Sequence, residues 1–393
     1  MQPLGGRRIW LVGIGGAGLS AYGVLARAWG ADVAGWDRNE TPYLGPVRAA
    51  GIEVVVSPEP ELRDGWEVVV SSAYPTVAGR SRAEFLAELV SLRPSIVVGG
   101  THGKSTTAAL IAFALRELGR DPAFVIGAEV PQLGGNAGTG EGWFVVEGDE
   151  SDRTIAALRP QVAVVLNVEL DHHSEFASLA EVQALFDDWT SHVPHVVRAE
   201  ELEPVDFELA MRGEHNRRNA AAALAALELC GVERQDAKPH VAAFKGAARR
   251  FQLRGEAGGV LVYDDYAHHP TEVAATISTA REVGTRRVLV LFQPHLYSRT
   301  RHLAHELGRA LAAADVVAVA DVYAAREHDG EVRGKIVADA VSDARGGARV
   351  GWMPSREQGA RWLASLARPG DVVLTVGAGD VDGAVPLLLE ALA

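Results

Sequence analysis

The chain has 393 residues, of which 48% are hydrophobic and 23% are charged, and its formal net charge is −13. This composition excludes a disordered or collagen-like protein and leaves room for two or three globular domains. The acidic balance argues against nucleic acid as a partner, and a single cysteine, Cys230, excludes an internal disulfide. With no apolar run long enough to cross a bilayer, the sequence predicts a cytoplasmic protein that is not bound to a membrane.

Short apolar runs alternate with longer helical stretches along the whole chain. Ten runs are predicted as buried strands, namely Arg8–Gly13, Ala31–Trp36, Glu67–Ser72, Ser95–Gly99, Gly142–Glu147, Val162–Asn167, Gly259–Asp264, Arg287–Phe292, Asp315–Asp321 and Asp371–Val376. Helices are predicted at Thr107–Leu118, Asn219–Cys230, Pro270–Val283 and Thr300–Ala314. Such alternation builds parallel sheets covered by helices, so the predicted fold class is α/β. Motif positions place domain boundaries near Pro94 and Phe251, which gives domains 1–93, 94–250 and 251–393.

The first glycine motif, Gly13-Ile14-Gly15-Gly16-Ala17-Gly18, follows a predicted strand and opens a helix. Asp37 ends the next strand, where a dinucleotide-binding fold places the acid that binds a ribose. The residues alone leave three interpretations open: an NAD(P) site, a site for another diphosphate, and a purely structural turn. Arg7-Arg8 and the uncharged stretch after them imitate a signal peptide, but five glycines in that stretch disfavour an apolar helix.

A second glycine turn carries a lysine, in the segment Gly99-Gly100-Thr101-His102-Gly103-Lys104-Ser105-Thr106. It is a shorter variant of the P-loop, because Val98 stands where the standard spacing has glycine. Backbone N–H groups and a helix N-terminus are expected to surround phosphates, with Lys104 as a point charge and Ser105 as a hydroxyl for Mg²⁺. A lysine in such a turn is not expected to support the fold itself.

Acidic and imidazole side chains follow the next two predicted strands. The run Glu147-Gly148-Asp149-Glu150-Ser151-Asp152 comes after one strand, and Asn167 to His173 comes after the other. Because parallel strands end at one edge of a sheet, these groups are expected near the phosphate loop, where oxygen donors suit Mg²⁺. A solvated acidic turn and a structural histidine pair are the alternatives.

Taken together, these motifs and those that follow resemble the Mur ligases over nearly the whole chain. The resemblance is carried by Gly13–Gly18, Ser71-Ser72-Ala73, Gly100–Lys104, Glu147…Asp152, Asn167…His172, Gly213–Asn219, Phe244-Lys245-Gly246, Arg249-Arg250-Phe251, Asp264–Glu272, Phe292–His295, Arg299-Thr300-Arg301 and Gly377-Ala378-Gly379. The phosphate loop is shared by all Mur and folylpolyglutamate ligases. The segments Asp264–Glu272 and Phe292–His295 are narrower and point to the branch that adds L-alanine.

The resemblance implies a three-domain fold: an N-terminal Rossmann-like domain for the UDP-sugar, a central P-loop-type ATPase domain and a C-terminal Rossmann-like domain for the amino acid. It implies UDP-N-acetylmuramate, L-alanine and ATP as substrates and Mg²⁺ as cofactor. The predicted assembly is a monomer or a homodimer. In the implied reaction, the γ-phosphoryl group of ATP moves to the lactyl carboxylate, and the amine of L-alanine attacks the acyl phosphate. Such chemistry depends on positioned cations more than on a protein nucleophile.

The resemblance also implies roles for individual residues. Catalytic residues would be Lys104, His268, His295 and Arg299. ATP would be bound by Gly100, Thr101, His102, Gly103, Lys104, Ser105, Thr106, His215, Asn216, Asn219, Arg250 and either Asp264 or Asp265. The other substrates would be bound by Gly13, Gly15, Gly16, Ala17, Gly18, Asp37, Ser71, Ser72 and Tyr266. Metal ligands would be Ser105 and Glu147 for one Mg²⁺ and His172 for a second.

The chain departs from the family pattern in three respects. Leu296 stands where relatives usually carry arginine, Ser105 replaces the usual threonine, and the stretches from Ala73 to Arg82 and from His172 to His215 are shorter than expected. The sequence therefore predicts a shortened member of the Mur ligase family. The alternatives are a ligase that recycles murein tripeptide, a non-catalytic relative that binds a UDP-sugar and an NAD oxidoreductase.

Overall fold

The structure is a computed structural model that describes residues 2–173, 175–283, 286–325, 327, 330–345 and 349–393. The chain divides into two compact units. The first consists of Met1–Glu169, Leu179–Ala210 and Arg218–Lys245, and the second of Leu170–Ser178, Met211–Arg217 and Gly246–Ala393. Among the described residues, no helix combines the length and the apolar character that crossing a membrane requires.

The first unit begins with a five-stranded parallel sheet in the order β3-β2-β1-β4-β5. Its strands are β1 (Arg8–Val12), β2 (Asp32–Asp37), β3 (Glu53–Val56), β4 (Glu67–Val70) and β5 (Arg80–Ser81). Its helices are α1 (Ala17–Ala28), α2 (Leu44–Ala49) and α3 (Arg82–Ser91). Between β4 and α3 only the two-residue strand β5 is present, as the short segment after Ala73 predicts.

A six-stranded sheet completes the first unit, in the order β11-β10-β6-β9-β7-β8. Its strands are β6 (Ser95–Gly99), β7 (Ala123–Val130), β8 (Gly135–Thr139), β9 (Phe144–Glu147), β10 (Val162–Val165) and β11 (His195–Arg198). The helices that follow β6 and its neighbours are α4 (Lys104–Glu117), α5 (Leu179–Ser191), α6 (Glu214–Leu229) and α7 (Arg234–Ala243). Because β6, β9 and β10 are adjacent and parallel, their carboxyl ends bring the phosphate loop and the acidic run to one edge.

The second unit is built on a six-stranded sheet in the order β12-β13-β17-β14-β15-β16, in which only the pair β12–β13 is antiparallel among the described strands. Its strands are β12 (Gln252–Ala257), β13 (Val260–Asp265), β14 (Val288–Phe292), β15 (Val316–Val319), β16 (Arg349–Trp352) and β17 (Val372–Val376). Its helices are α8 (Pro270–Glu282), α9 (Tyr297–Leu311), α10 (Lys335–Arg345), α11 (Arg356–Leu366) and α12 (Val385–Leu392). Helices α8 to α10 pack on one face of the sheet, and α11 and α12 pack on the other.

The predicted α/β class is confirmed, and all ten predicted strands are present. Each predicted helix is also present, although α4, α6 and α9 begin three to five residues earlier than predicted. These early starts follow from the glycine turns and loops that precede them. The boundaries at 93/94 and 250/251 stay a prediction.

Candidate active site

The first glycine turn connects β1 to α1 and is tied to the end of β2. The Gly15 N–H donates to Oδ2 of the buried Asp37 at 2.8 Å. Gly13 has a φ of +88°, and a Cβ there would lie 2.7 Å from the Cβ of Ser71, so both the conformation and the space require glycine. The other expected residues are Gly16 as the N-cap of α1, Ala17 and Gly18 in its first turn, and the exposed Ser72 after β4. The Asp37 carboxylate, expected at a ribose, holds the glycine turn in this structure.

The phosphate loop runs from the end of β6 to the start of α4 and is held by one asparagine. Asn167 accepts the His102 N–H through Oδ1 at 2.8 Å and donates through Nδ2 to the His102 carbonyl oxygen at 3.0 Å. Its backbone carbonyl accepts the Thr101 N–H at 3.0 Å. Gly103 caps α4 with a φ of +84°, and a Cβ there would lie 2.6 Å from Oδ1 of Asn219. The loop is therefore preformed at a helix N-terminus, which is the geometry that binds phosphate.

Lys104 is the first residue of α4, and its ammonium group is already bound on all sides. Nζ donates to the carbonyl oxygens of Gly100 at 2.7 Å and Thr101 at 3.1 Å, and it lies 2.8 Å from Glu150. Glu150 is only 1% exposed. Burial alone would lower the pKa of Lys104, but the Glu150 carboxylate more than offsets this, and the pKa is raised. Lys104 is thus charged and part of a buried ion pair with Glu150, a contact that was not predicted.

Ser105 and Glu147 meet beside the lysine. The Ser105 hydroxyl donates to Oε1 of Glu147 at 3.0 Å, and the Gly127 N–H donates to Oε2 at 2.6 Å. Glu147 ends β9, while Ser105 lies in the first turn of α4, followed by the buried Thr106. A hydroxyl and a carboxylate at this distance are the hard oxygen donors that Mg²⁺ prefers. The residues present therefore fit the expected metal.

The remaining acids of the run are directed elsewhere. Asp149 accepts the N–H and hydroxyl of Ser151 at 2.9 and 2.6 Å. Arg82, at the start of α3, donates to Asp152 at 2.5 Å and lies 3.6 Å from Asp149. Folding therefore separates acids that are adjacent in sequence: Glu147 faces the hydroxyl, Glu150 the lysine, and the two aspartates Arg82.

In the second unit, a buried arginine lies at the start of α9. Arg299 is 3% exposed and donates to Asp171 through Nε to Oδ1 at 2.8 Å and through Nη2 to Oδ2 at 3.0 Å. Its Nη1 lies 3.0 Å from Nδ1 of His295. Burial alone would raise the pKa of Asp171, but the Arg299 guanidinium lowers it well below its ordinary range. Asp171 was not predicted as a site residue.

Two histidines lie together at the ends of β13 and β14. The ring centroids of His268 and His295 are 5.9 Å apart, and Nδ1 of His268 lies 3.0 Å from the Tyr266 carbonyl oxygen. Burial lowers the pKa of His268 to about 4, although Glu272 opposes the shift. Burial, with His268 and Arg299 nearby, lowers the pKa of His295 to about 3. Both rings are therefore neutral at pH 7.

Tyr266 follows β13 and lies under two arginines. Its ring centroid is 5.1 Å from the guanidinium carbon of Arg249 and 5.2 Å from that of Arg250. Its ring also meets the His268 ring edge to face, at 5.7 Å. Arg250 further lies 3.8 Å from Glu272. The structure thus groups Tyr266, His268, His295, Arg299 and Arg250 in one unit.

Asp264 and Asp265, of which one is expected at ATP, are both buried and hydrogen-bonded within the protein. Asp264 accepts from Arg249 Nε at 2.9 Å and from the Thr375 hydroxyl at 2.6 Å. Asp265 accepts the Ala267 N–H at 2.8 Å, and burial raises its pKa to about 6. In this structure these carboxylates fix the ends of β13 and β17, a structural role that differs from the expected ATP contact.

Three further residues expected at ATP, His215, Asn216 and Asn219, lie in the first two turns of α6. Burial lowers the pKa of His215, and Asn216 donates to the Arg212 carbonyl oxygen at 2.7 Å. These two residues belong to the second unit and Asn219 to the first. His172, expected at a second metal, has a φ of +54° and donates its N–H to Asp171 at 2.7 Å.

Leu296, at the position where the family resemblance predicts an arginine, has a φ of +65°. Its N–H donates to the Tyr323 carbonyl oxygen at 2.9 Å, and its carbonyl oxygen accepts the Thr300 N–H at 3.0 Å. A leucine at such a φ stores of the order of 1–3 kcal/mol of strain and persists only because neighbours hold it. The strained residue lies between His295 and α9, where it sets the direction in which the helix starts.

Three family models match the chain. The Mur ligase family catalytic domain matches residues 8–93, the Mur ligase middle domain residues 98–195 and the Mur ligase glutamate ligase domain residues 249–379.

Curated relatives cover nearly the whole chain. The UDP-N-acetylmuramate–L-alanine ligase of Kineococcus radiotolerans is 41% identical, with 98% of this chain and 96% of the relative aligned. That of Streptomyces coelicolor is 38% identical, over 97% and 96%. The first alignment extends over 457 residues, more than the 393 of this chain, which confirms that the chain is shortened within the matched region.

Solved structures give the same picture of the fold. The UDP-N-acetylmuramate-alanine ligase of Thermotoga maritima is 25% identical with a TM-score of 0.77 and 98% of each chain covered. A murein peptide ligase of Psychrobacter arcticus, 23% identical with a TM-score of 0.65 and 98% and 99% covered, shares the fold.

Proposed function

The chain belongs to the Mur ligase family, and from this premise we propose that it joins L-alanine to the lactyl carboxylate of UDP-N-acetylmuramate, using ATP. The observation that carries the proposal is the 41% identity to an L-alanine ligase over 96% of that relative, in a chain whose phosphate loop keeps its lysine and hydroxyl in place. The fold agrees with that of the Thermotoga maritima ligase.

The first chemical step is phosphoryl transfer. A lactyl carboxylate oxygen bonds to the γ-phosphorus of ATP while the bond to the β–γ bridging oxygen breaks, which yields an acyl phosphate and ADP. The N–H groups of the first turn of α4 and the Lys104 ammonium interact with the charge on the phosphates, a preorganised electrostatic contribution. Ser105 and Glu147 would hold Mg²⁺, which supplies further positive charge to the phosphate oxygens when bound.

The second step is amide formation. The amine nitrogen of L-alanine bonds to the acyl carbon, the carbon–oxygen bond to phosphate breaks, and phosphate and a proton leave. We assign the residues around this amine to the second unit. His268 is neutral at pH 7, and its Nδ1 faces the Tyr266 carbonyl oxygen, so Nε2 has a lone pair that can orient an amine N–H.

The finer assignments belong to the same proposal. Three sheets, built from residues 8–81, 95–198 and 252–376, support domains 1–93, 94–250 and 251–393. Three further assignments rest on the family resemblance: Mg²⁺ is the metal, His172 holds a second ion, and the glycine turn of residues 13–18 binds the UDP-sugar. A cytoplasmic protein without nucleic-acid or membrane partners is proposed from composition alone. The monomer or homodimer is a separate prediction, which does not rest on composition.

The test is ADP and phosphate release from ATP in the presence of UDP-N-acetylmuramate, with L-alanine, glycine, L-serine or the murein tripeptide offered separately. We expect release that depends on L-alanine, and a loss of at least about a hundredfold in kcat for Lys104→Met, since that cation acts on charge developing in the transition state. Lys335→Met is the matched control, because Lys335 is exposed and paired with Asp339. Dependence on the tripeptide would favour the recycling ligase, and binding of ATP without turnover would favour the regulatory relative.

A further inference from the structure

We propose that Asp171 is a positioning residue: it holds the Arg299 guanidinium so that Arg299 fixes the tautomer of His295, whose ring then presents an N–H donor at Nε2. The consequence for catalysis rests on the proposed function, whereas the tautomer does not.

The ion pair leaves Arg299 a single orientation. Asp171 is 4% exposed, and its two oxygens accept two parallel hydrogen bonds, from Nε at 2.8 Å and from Nη2 at 3.0 Å. Such two-pronged pairs fix the plane of the guanidinium as well as its place. The Asp171 carboxylate is itself oriented, because Oδ1 also accepts the His172 N–H at 2.7 Å.

The direction of the next hydrogen bond follows from the chemistry of arginine. Nη1 of Arg299 lies 3.0 Å from Nδ1 of His295. A guanidinium has five N–H donors and no acceptor, and it does not lose its proton in proteins. Nδ1 of His295 must therefore be the acceptor. In an imidazole whose Nδ1 carries a lone pair, the ring proton is on Nε2.

The neighbouring histidine has the opposite arrangement. Nδ1 of His268 lies 3.0 Å from the Tyr266 carbonyl oxygen, which can only accept, so Nδ1 carries the proton and Nε2 the lone pair. The two rings are 5.9 Å apart between centroids. The pair thus offers one acceptor and one donor, which suits a ligand with an amine N–H and an anionic oxygen. In this arrangement His295 donates to the anionic oxygen and does not act as a base.

A second two-pronged Asp–Arg pair in the same unit, with a buried aspartate and a half-buried arginine, serves as control. Asp371 is 2% exposed and accepts from Arg287 through Nε at 3.1 Å and Nη2 at 2.5 Å. Arg287 precedes β14 and His295 follows it, so the two pairs are separated by a five-residue strand, about 17 Å long. Asp371→Asn therefore removes the same kind of ion pair without touching the histidines.

The tautomer can be measured without substrate. Long-range ¹H–¹⁵N NMR on ¹⁵N-histidine-labelled protein distinguishes a protonated Nε2 from a protonated Nδ1, and a His295→Asn spectrum assigns the signals. We expect the Nε2–H form in wild type and in Asp371→Asn, and a mixture of tautomers in Asp171→Asn. A wild-type ring protonated at Nδ1, or an unchanged single tautomer in Asp171→Asn, would overturn the proposal.

Kinetics then test the consequence. Asp171→Asn should lower kcat/KM for L-alanine by about 10–100-fold, the size of the loss when the partner that orients a metal-ligating histidine is removed. Asp371→Asn should keep kcat/KM within about twofold. A larger effect on KM for ATP than for L-alanine would place the anionic oxygen on phosphate. If Asp171→Asn does not fold, Arg299→Lys, which lacks the fork, should show the same mixed tautomers. If the chain is not a ligase, there is no turnover to measure, and the NMR result alone tests whether Asp171 fixes the tautomer of His295.

Discussion

Lys104→Met separates the charge of the lysine from its bulk, and its effect on stability can be worked out from the structure. Methionine keeps an unbranched chain and leaves no large cavity. The change removes the ammonium that lies 2.8 Å from Glu150, a carboxylate that is 1% exposed. Removing one partner of a buried ion pair typically costs about 3–5 kcal/mol, because a charge stays buried without its counter-ion.

Protonation of the Glu150 carboxylate sets an upper limit on this loss of stability. The carboxyl can take up a proton, and from an ordinary pKa of about 4.3 this costs about 3.7 kcal/mol at pH 7 but only about 1 kcal/mol at pH 5. In the variant, the pKa of the buried carboxyl is raised above its unfolded value. Its contribution is therefore least unfavourable at low pH and grows as the pH rises. The stability deficit of Lys104→Met should shrink by about 2–3 kcal/mol between pH 7 and pH 5.

The assay is urea unfolding followed by tryptophan fluorescence at both pH values, for wild type, Lys104→Met, Glu150→Gln and the double variant. The double variant should recover most of the loss, because it contains neither charge. Lys335→Met, at an exposed lysine, should change stability by less than about 0.5 kcal/mol. Equal stability of Lys104→Met and wild type at pH 7, or a deficit that does not depend on pH, would refute the reasoning.

Two further predictions concern metal and pH. Ser105→Ala and Glu147→Gln should raise the Mg²⁺ concentration needed for half-maximal ADP formation. Asp149→Asn should leave that Mg²⁺ concentration unchanged, because the Asp149 carboxylate binds Ser151. A shift for Asp149→Asn alone would show that Asp149, and not Glu147, is the metal ligand. Because the pKa values of His268 and His295 are lowered to about 4 and about 3, the unfolded chain binds more protons below pH 6.5. The free energy of unfolding should therefore fall as pH drops from 6.5 to 4, by up to about 1.4 kcal/mol per pH unit for each histidine, and His268→Gln should flatten that slope in urea unfolding.

The inner strands of each sheet other than β7 could be predicted because both of their faces are buried. Val288–Phe292, for example, is a continuous apolar run and is fully buried. Edge strands gave no such signal. Glu53–Val56 and Arg349–Trp352 are partly exposed, and Gln252–Ala257 carries polar residues and a glycine. Their pairing with a neighbouring strand, rather than their own hydrophobicity, makes them strands.

The edge of the sheet at which the site lies could be predicted, but the partners of its residues could not. Glu147 and Glu150 are three residues apart and chemically alike, and only the path of the chain after β9 decides which one meets Ser105 and which one meets Lys104. A pair such as Asp171 and Arg299, separated by 128 residues, leaves no local pattern at all. The spacing of residues along the sequence predicts which side chains the strands and turns bring together. Long-range ion pairs depend instead on packing between elements.

The buried ion pairs Lys104–Glu150 and Arg299–Asp171 differ in which contacts a ligand would have to displace. An ammonium has three N–H donors, and those of Lys104 already meet two carbonyl oxygens and Glu150. A phosphate that binds Lys104 must therefore replace a carbonyl oxygen, which is a weak partner, while Glu150 can keep the side chain in place. A guanidinium has five N–H donors, and the contacts of Arg299 with Asp171 and His295 use three of them. Arg299 can thus donate to an anionic oxygen and still keep both protein partners, so the same residue can position a histidine and contact a substrate.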